Sequence, residues 1–289
     1  MKILVLGGTR YFGIPMVKSM IKKGHEITIA TRGLTEDSFG DKVKRVRLNV
    51  YDPESVEMAV KGTAYDLVID KMGYGSKDIK SIRDNVDCDR IIHMSTAGVY
   101  KLNHKDIKED EFIPQNLELE WCTRGEFTYD YLKQQAECAL CNLYENDNWT
   151  SVRYPFVLGR NDYTGRLRSY VHNIIYAIPT YIDNIDEQFS VVFEEEAGLF
   201  FDFLLDKMNV GAINGCARGY LSISRMIDYI ENKVNKKLIL SEVGEVGGFN
   251  NTSSYSLSVD KAEKLGFDFG IVDDKIKDLL DYYIFLEKN

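Results

Sequence analysis

The chain opens on a short apolar run, Lys2–Leu6, which breaks into Gly7-Gly8 and then passes directly into a helical stripe. Ile14, Met16, Val17, Met20 and Ile21 recur at the helical period between about Phe12 and Lys23, and Gly24 is placed to end that helix. A buried strand, a glycine turn and an amphipathic helix in immediate succession fit few architectures. The rhythm then repeats. Strands are predicted at His25–Thr31, Val43–Val50, Asp66–Asp70, Arg90–Ser95 and Ser151–Tyr154, with helices at Asp52–Val60, Asp78–Val86 and Thr128–Tyr144. Alternation of this kind specifies an α/β fold with a doubly wound parallel sheet. Beyond Gly159 the rhythm loosens. Helices at Gly165–Ile178, Ser222–Val234, Val259–Leu265 and Asp274–Phe285, with a strand at Gln188–Phe193, predict a smaller C-terminal lobe that is partly interleaved with the first unit. The expected division is 1–160 and 161–289.

Composition narrows the function classes. A chain of 289 residues can bury roughly three quarters of its unfolded surface, so it needs neither disulfides nor a structural metal. The five irregularly spaced cysteines predict free thiols in a reducing compartment, and the cytoplasm is the expected location. The first residues show no signal-peptide pattern, and no apolar run approaches the ~20 residues that span a bilayer. A net charge of −9 weighs against nucleic acid as a partner. No metal site is expected. The four histidines are scattered, and Cys138-Ala139-Leu140-Cys141 lies within a predicted helix with no second pair. The run Glu194-Glu195-Glu196 reads as a solvated loop.

Two segments carry chemistry. Gly7, Thr9, Arg10, Tyr11, Phe12 and Gly13 join the first strand to the first helix, where backbone N–H groups and a helix N-terminus can cradle a pyrophosphate. A tight turn that binds nothing is the competing reading. Tyr129 and Lys133 stand at i, i+4, so both project from one helix face, and an ammonium beside a phenol favours the phenolate needed for acid/base work. A second such pair, Tyr229 and Lys233, lies in the tail lobe, so spacing alone does not choose between them. Position does: Tyr129 follows the strand ending in Ser95-Thr96, and open α/β sheets bind ligands beyond the carboxyl ends of their strands.

With these motifs in their order, the chain resembles the NAD-dependent epimerase/dehydratase family, the extended short-chain dehydrogenase/reductases. The matching pieces are GGTRYFG (7–13), STAGVY (95–100), the Tyr129, Lys133, Glu137 series, VRYPFVLGR (152–160) and SVDKAEKLGFDF (258–269). The resemblance implies a Rossmann-type dinucleotide-binding domain with a substrate lobe, an NAD or NADP cofactor and a nucleotide-sugar substrate. It assigns Tyr129 as acid/base, Thr96 as the hydroxyl that positions the substrate oxygen, and Lys133 as tuner of the tyrosine and holder of the nicotinamide ribose. Gly7, Thr9, Arg10, Tyr11, Phe12, Gly13, Arg32, Asn49, Val50 and Ser95 would line the cofactor site, with Asn49-Val50 at the adenine. Arg160, Arg166 and Arg168 are candidates for a substrate diphosphate. Arg10 replaces the usual middle glycine, as in the atypical GGTR-type subgroup, and Thr31-Arg32 stands where an acidic residue usually ends the second strand. Both departures favour NADP(H). Ala97-Gly98 replaces the Asp-Glu of the 4,6-dehydratases, which disfavours dehydration and leaves epimerase or oxidoreductase. The family often forms homodimers through a four-helix contact that includes the Tyr129 helix. A second class stays open: a non-catalytic NAD(P)-binding regulator or RNA-associated scaffold of the atypical subgroup.

Overall fold

The structure is a computed structural model that describes residues 1–144 and 148–289. Its frame is a seven-stranded parallel sheet made of β1 (Lys2–Leu6), β2 (Glu26–Thr31), β3 (Lys44–Arg47), β4 (Leu67–Asp70), β5 (Ile91–Thr96), β6 (Trp149–Tyr154) and β7 (Gly211–Asn214). The strand order is β7-β6-β5-β4-β1-β2-β3, with Leu6 of β1 opposite Ala30 of β2 on one side and Asp70 of β4 on the other. The order therefore reverses at β1, and that switch opens a crevice at the strands' carboxyl ends. Ile3–Leu6 are fully buried because a central parallel strand is covered on both faces, which explains an unbroken apolar run in place of alternation.

Helices cover both faces. On one side α1 (Gly13–Lys22) packs with α6 (Glu194–Phe203), through Met16, Val17, Phe200, Phe201 and Leu204. The other side holds α2 (Pro53–Val60), α3 (Ser76–Asn85) and α4 (Tyr129–Leu143), through Val56, Ile79, Ile82, Ala136 and Leu140. Asp52 caps α2 by accepting from the Glu54 amide at 3.2 Å, with Pro53 in the first turn. A separate apolar core joins α5 (Arg166–Tyr176), α7 (Ile223–Val234) and α9 (Val272–Lys288). The sheet layer also takes α6, β7 and Ala262 of α8 (Asp260–Leu265) from beyond residue 160, so the two cores share the C-terminal chain.

Glu194–Glu196 corrects the sequence expectation of a solvated loop. They form the first turn of α6, and Glu194 and Glu196 are only 7% exposed. Glu194 accepts hydrogen bonds from the Asn161 amide and side chain, and Glu196 accepts from the Gly270 amide and pairs with Lys275. Carboxylates at a helix N-terminus complement its dipole, and the sequence gave no view of these distant partners. Glu137 on α4 and Arg153 on β6 form a fully buried ion pair, the guanidinium also donating to Tyr100 Oη and to the Glu109 and Phe112 carbonyls. With those protons satisfied, the pair fixes α4 against the sheet.

Candidate active site

The glycine turn follows from backbone geometry. Gly7 and Gly8 sit at φ +94° and +99°, in the left-handed region that side chains disfavour. Gly13, the first residue of α1, is needed for a different reason: a Cβ there would approach the Gly8 Cα and carbonyl oxygen to 2.7 Å. Tyr11 is also left-handed, at φ +55°, and its hydroxyl donates to the Val157 carbonyl, which ties the loop to the strand-like segment after β6. No side chain caps α1 and its first turn holds no acid; the Gly13, Ile14 and Met16 amides are taken by the Arg10, Tyr11 and Phe12 carbonyls and Pro15 has none, so the amides of Thr9–Phe12, without a backbone partner among the described residues, are the ones left to a ligand.

A cleft of about 360 Å³ lies over this turn. Of the predicted cofactor residues, Gly7, Thr9, Arg10, Tyr11, Phe12, Arg32, Asn49 and Val50 line it. Gly13 lies just beneath as the start of α1. Arg10, Arg32 and Lys71 are its basic lining residues, and no carboxylate lines it. Arg10 Nε donates to Thr35 Oγ1 at 2.9 Å, while nearby Asp37 is held by Arg45 and so does not neutralise the cleft arginines. A left-handed glycine pair, an uncapped helix start and basic walls suit a dinucleotide phosphate.

Thr96 ends β5, and its Oγ1 accepts from the Gly98 amide at 3.1 Å. Tyr129 begins α4 beside it, its ring edge-on to Tyr74 with centroids 5.7 Å apart. The Tyr129 ring is 44% exposed, but its hydroxyl end is buried, and that burial raises its pKa above the ordinary phenol value, with Tyr74 adding and Thr96 opposing. Lys133 shares the helix face but is fully buried, and its Nζ donates to the Gly73 carbonyl at 2.7 Å and the Met94 carbonyl at 2.6 Å. Burial lowers its pKa to about 8, opposed by Asp70, Asp78 and Glu137.

Behind Lys133 lies a network that sequence motifs did not reveal. His93 Nε2 is 3.4 Å from Lys133 Nζ, and His93 Nδ1 is 2.7 Å from Asp70 Oδ2, all three residues being buried. Burial and the neighbouring ammonium hold the His93 pKa below its ordinary value, so the ring is neutral, donating from Nδ1 to Asp70 and accepting at Nε2. Asp130 was also missed. Its carboxylate packs onto Gly98, where a Cβ would meet Oδ1 at 2.0 Å, and burial raises its pKa.

Four predicted residues are not brought to the cleft. Ser95 points to the opposite side of β5 from Met94 and Thr96, and its hydroxyl is buried with no partner among the described residues. Arg168 pairs with Glu287 at 2.6 Å, tying α5 to α9. Arg160 lies over the Tyr282 ring and Arg166 over Phe156. The rival pair is structural: Tyr229 and Lys233 both bind Asp281, fastening α7 to α9. In the predicted helix, Cys138 and Cys141 donate to the Leu117 and Glu137 carbonyls.

A parallel sheet reversing at β1, with a glycine turn and an open helix start at the switch point, defines a dinucleotide-binding α/β protein of the Rossmann type. More narrowly, the NAD dependent epimerase/dehydratase family model matches residues 3–187, and the chain belongs to that family. UDP-glucose 4-epimerase of Thermotoga maritima superposes with a TM-score of 0.76 at 14% identity, covering 98% of each chain. UDP-glucuronic acid 4-epimerase of Bacillus cereus, solved with NAD, gives 0.71 at 15% identity, covering 99% of this chain and 100% of that one. dTDP-glucose 4,6-dehydratase of Bacillus anthracis, also solved with NAD, gives 0.75 at 13% identity over 100% and 97%. These likenesses show the fold. In sequence, the chain is 24% identical over 205 residues to the chloroplast stem-loop binding protein of 41 kDa b of Arabidopsis thaliana, 65% of this chain. It spans about half the length of that relative, 50%. No helix among the described residues is long and apolar enough to cross a membrane.

Proposed function

We propose that this protein is an NAD(P)-dependent epimerase or oxidoreductase acting on a sugar nucleotide. The observation that carries the reading is the placement of Thr96 and Tyr129 at the carboxyl end of β5, beside a basic cleft that the glycine turn opens. Gly7, Gly8 and the loop into α1 would hold the cofactor pyrophosphate, Arg10 and Arg32 a ribose 2′-phosphate, and Asn49 and Val50 the adenine. Bound NAD(P) would supply hydride exchange with a substrate carbinol. Tyr129 Oη takes the carbinol proton and returns it, while Thr96 Oγ1 orients the same oxygen. Lys133, held by two carbonyls and His93 on the α4 face it shares with Tyr129, would steady the phenolate as it forms. The same residue roles would serve an epimerase, which restores the carbinol with inverted configuration, or a dehydrogenase, which releases the ketone. Ala97-Gly98 supply no acid for elimination, which disfavours 4,6-dehydration.

The test is exchange of label between NAD(P)H carrying deuterium at C4 and a panel of UDP- and dTDP-sugars. Transfer to one sugar, abolished in Tyr129→Phe, supports the reading. A second reading, a non-catalytic RNA-associated scaffold, draws support from the stem-loop binding relative, against the −9 charge. Tight binding of an RNA stem-loop with no exchange to any sugar would establish it and remove the first.

A further inference from the structure

Lys71, the residue after β4, belongs to none of the sequence motifs, yet it lines the cleft. Its Nζ lies 3.8 Å from the centroid of the Phe12 ring, and a Cβ on Gly13 would meet it at 2.6 Å. The ammonium therefore sits against the first turn of α1. That turn has no acid and no side-chain cap, so the positive end of the α1 dipole faces a cation with no carboxylate of the turn to offset it. The Phe12 ring face offsets part of this cost. Among the described residues no carboxylate pairs with Lys71, and Glu194, the acid that bears on it, is bound by the Asn161 amide and side chain. Burial lowers the Lys71 pKa to about 7, Glu194 opposing. A half-buried cation and a helix N-terminus that converge on the cleft without a counter-charge suit an anion held between them.

We propose that Lys71 is a phosphate ligand of the cleft, meeting from the sheet side the pyrophosphate that the α1 N-terminus meets from the helix side. The proposal rests on the dinucleotide reading of the cleft and adds a charged contact to a loop in which Arg10 replaces glycine.

The experiment measures dissociation constants of the full chain and of Lys71→Met and Lys71→Arg for NADPH, ADP and adenosine. Lys71→Met keeps the length and apolar stem of the side chain while removing its charge. A charge-assisted hydrogen bond lost from a sheltered site weakens binding by about ten- to a hundredfold, so NADPH and ADP should bind that much more weakly. Adenosine, which lacks phosphate, should be unaffected, and Lys71→Arg should restore most of the loss. Unchanged ADP and NADPH binding in Lys71→Met overturns the proposal, as does an equal loss for adenosine, which would report a damaged cleft. If the unmodified protein binds ADP through Lys71 but neither NADPH nor NADH, the dinucleotide reading falls while the anion site stands. If it binds none of these ligands, both fall.

Discussion

At the scale of single residues, the site turns on one phenol and the buried network behind it. Burial raises the Tyr129 pKa, so the group rests protonated, and the Thr96 hydroxyl is the neighbour that opposes the rise. Tyr129→Phe should retain fold and cofactor binding while turnover falls by about two to four orders of magnitude, the usual contribution of a positioned acid/base. Steady-state kinetics beside a cofactor titration check this, and wild-type turnover in the variant would place the proton transfer elsewhere. His93 gives a pH prediction. Its folded pKa lies below the ordinary 6.5, so the folded protein binds fewer protons than the unfolded chain as pH drops through that value. The stability it contributes is complete above pH 6.5 and declines on acidification. Urea unfolding between pH 4 and 8 should show that decline, and His93→Gln, which cannot titrate, should flatten it. A slope identical in both proteins would mean that His93 titrates alike in the folded and unfolded chain. None of this network was readable in the sequence, because Asp70, His93 and Lys133 meet only through the register of β4 and β5 and the docking of α4.

At the scale of elements, the strand and helix pattern was legible because periodicity reports burial directly, and the glycine turn was legible because its neighbours are local in the chain. Long-range coverings were not. Residues 114–122 form a strap across the outer side of α4. The Glu120 amide donates to Gln135 Oε1 at 2.7 Å, Gln135 Nε2 to the Glu118 carbonyl at 3.1 Å, and the Cys122 amide to Ser76 Oγ at 2.8 Å. Gln135 and Cys138 are fully buried beneath it. The exposed side of α3 is charged, with Lys77 paired to Glu126 and Lys80 to Asp84. The homodimer implied by the family resemblance uses the Tyr129 helix, α4, and here it would have to displace the strap and strip the neighbouring charges of water. We expect a monomer of 33.1 kDa by light scattering at micromolar concentration. A dimer whose α3 and α4 amides gain protection from hydrogen exchange would refute that expectation. The strap's Leu117, Leu119 and Trp121 alternate with Glu118 and Glu120, but that alternation does not say which surface the segment covers.

For the whole molecule, charge is distributed against its own average. The chain carries −9, yet the cleft lining holds Arg10, Arg32 and Lys71 and no acid. The sequence disclosed the total and, through Arg10 and Arg32, two of the three residues of the exception; Lys71 needed the fold. Such a basic recess in an acidic body draws anionic ligands inward and holds them more firmly the more charge they bring. The second strand ends in Thr31-Arg32, where a carboxylate would repel a ribose 2′-phosphate, and the nearby acid Asp37 is occupied by Arg45. Guanidinium groups meet phosphate with charge-assisted, often bidentate hydrogen bonds. NADPH should therefore bind more tightly than NADH by about tenfold, equivalent to about 1.4 kcal/mol. Arg32→Ala and Arg10→Ala should each narrow that ratio by weakening NADPH while leaving NADH nearly unchanged. Added salt should do the same, since screening acts on the extra phosphate. Fluorescence titration of both cofactors at low and high ionic strength decides it: tighter NADH binding, or an NADPH constant indifferent to both arginines, would show that the basic walls serve the pyrophosphate alone.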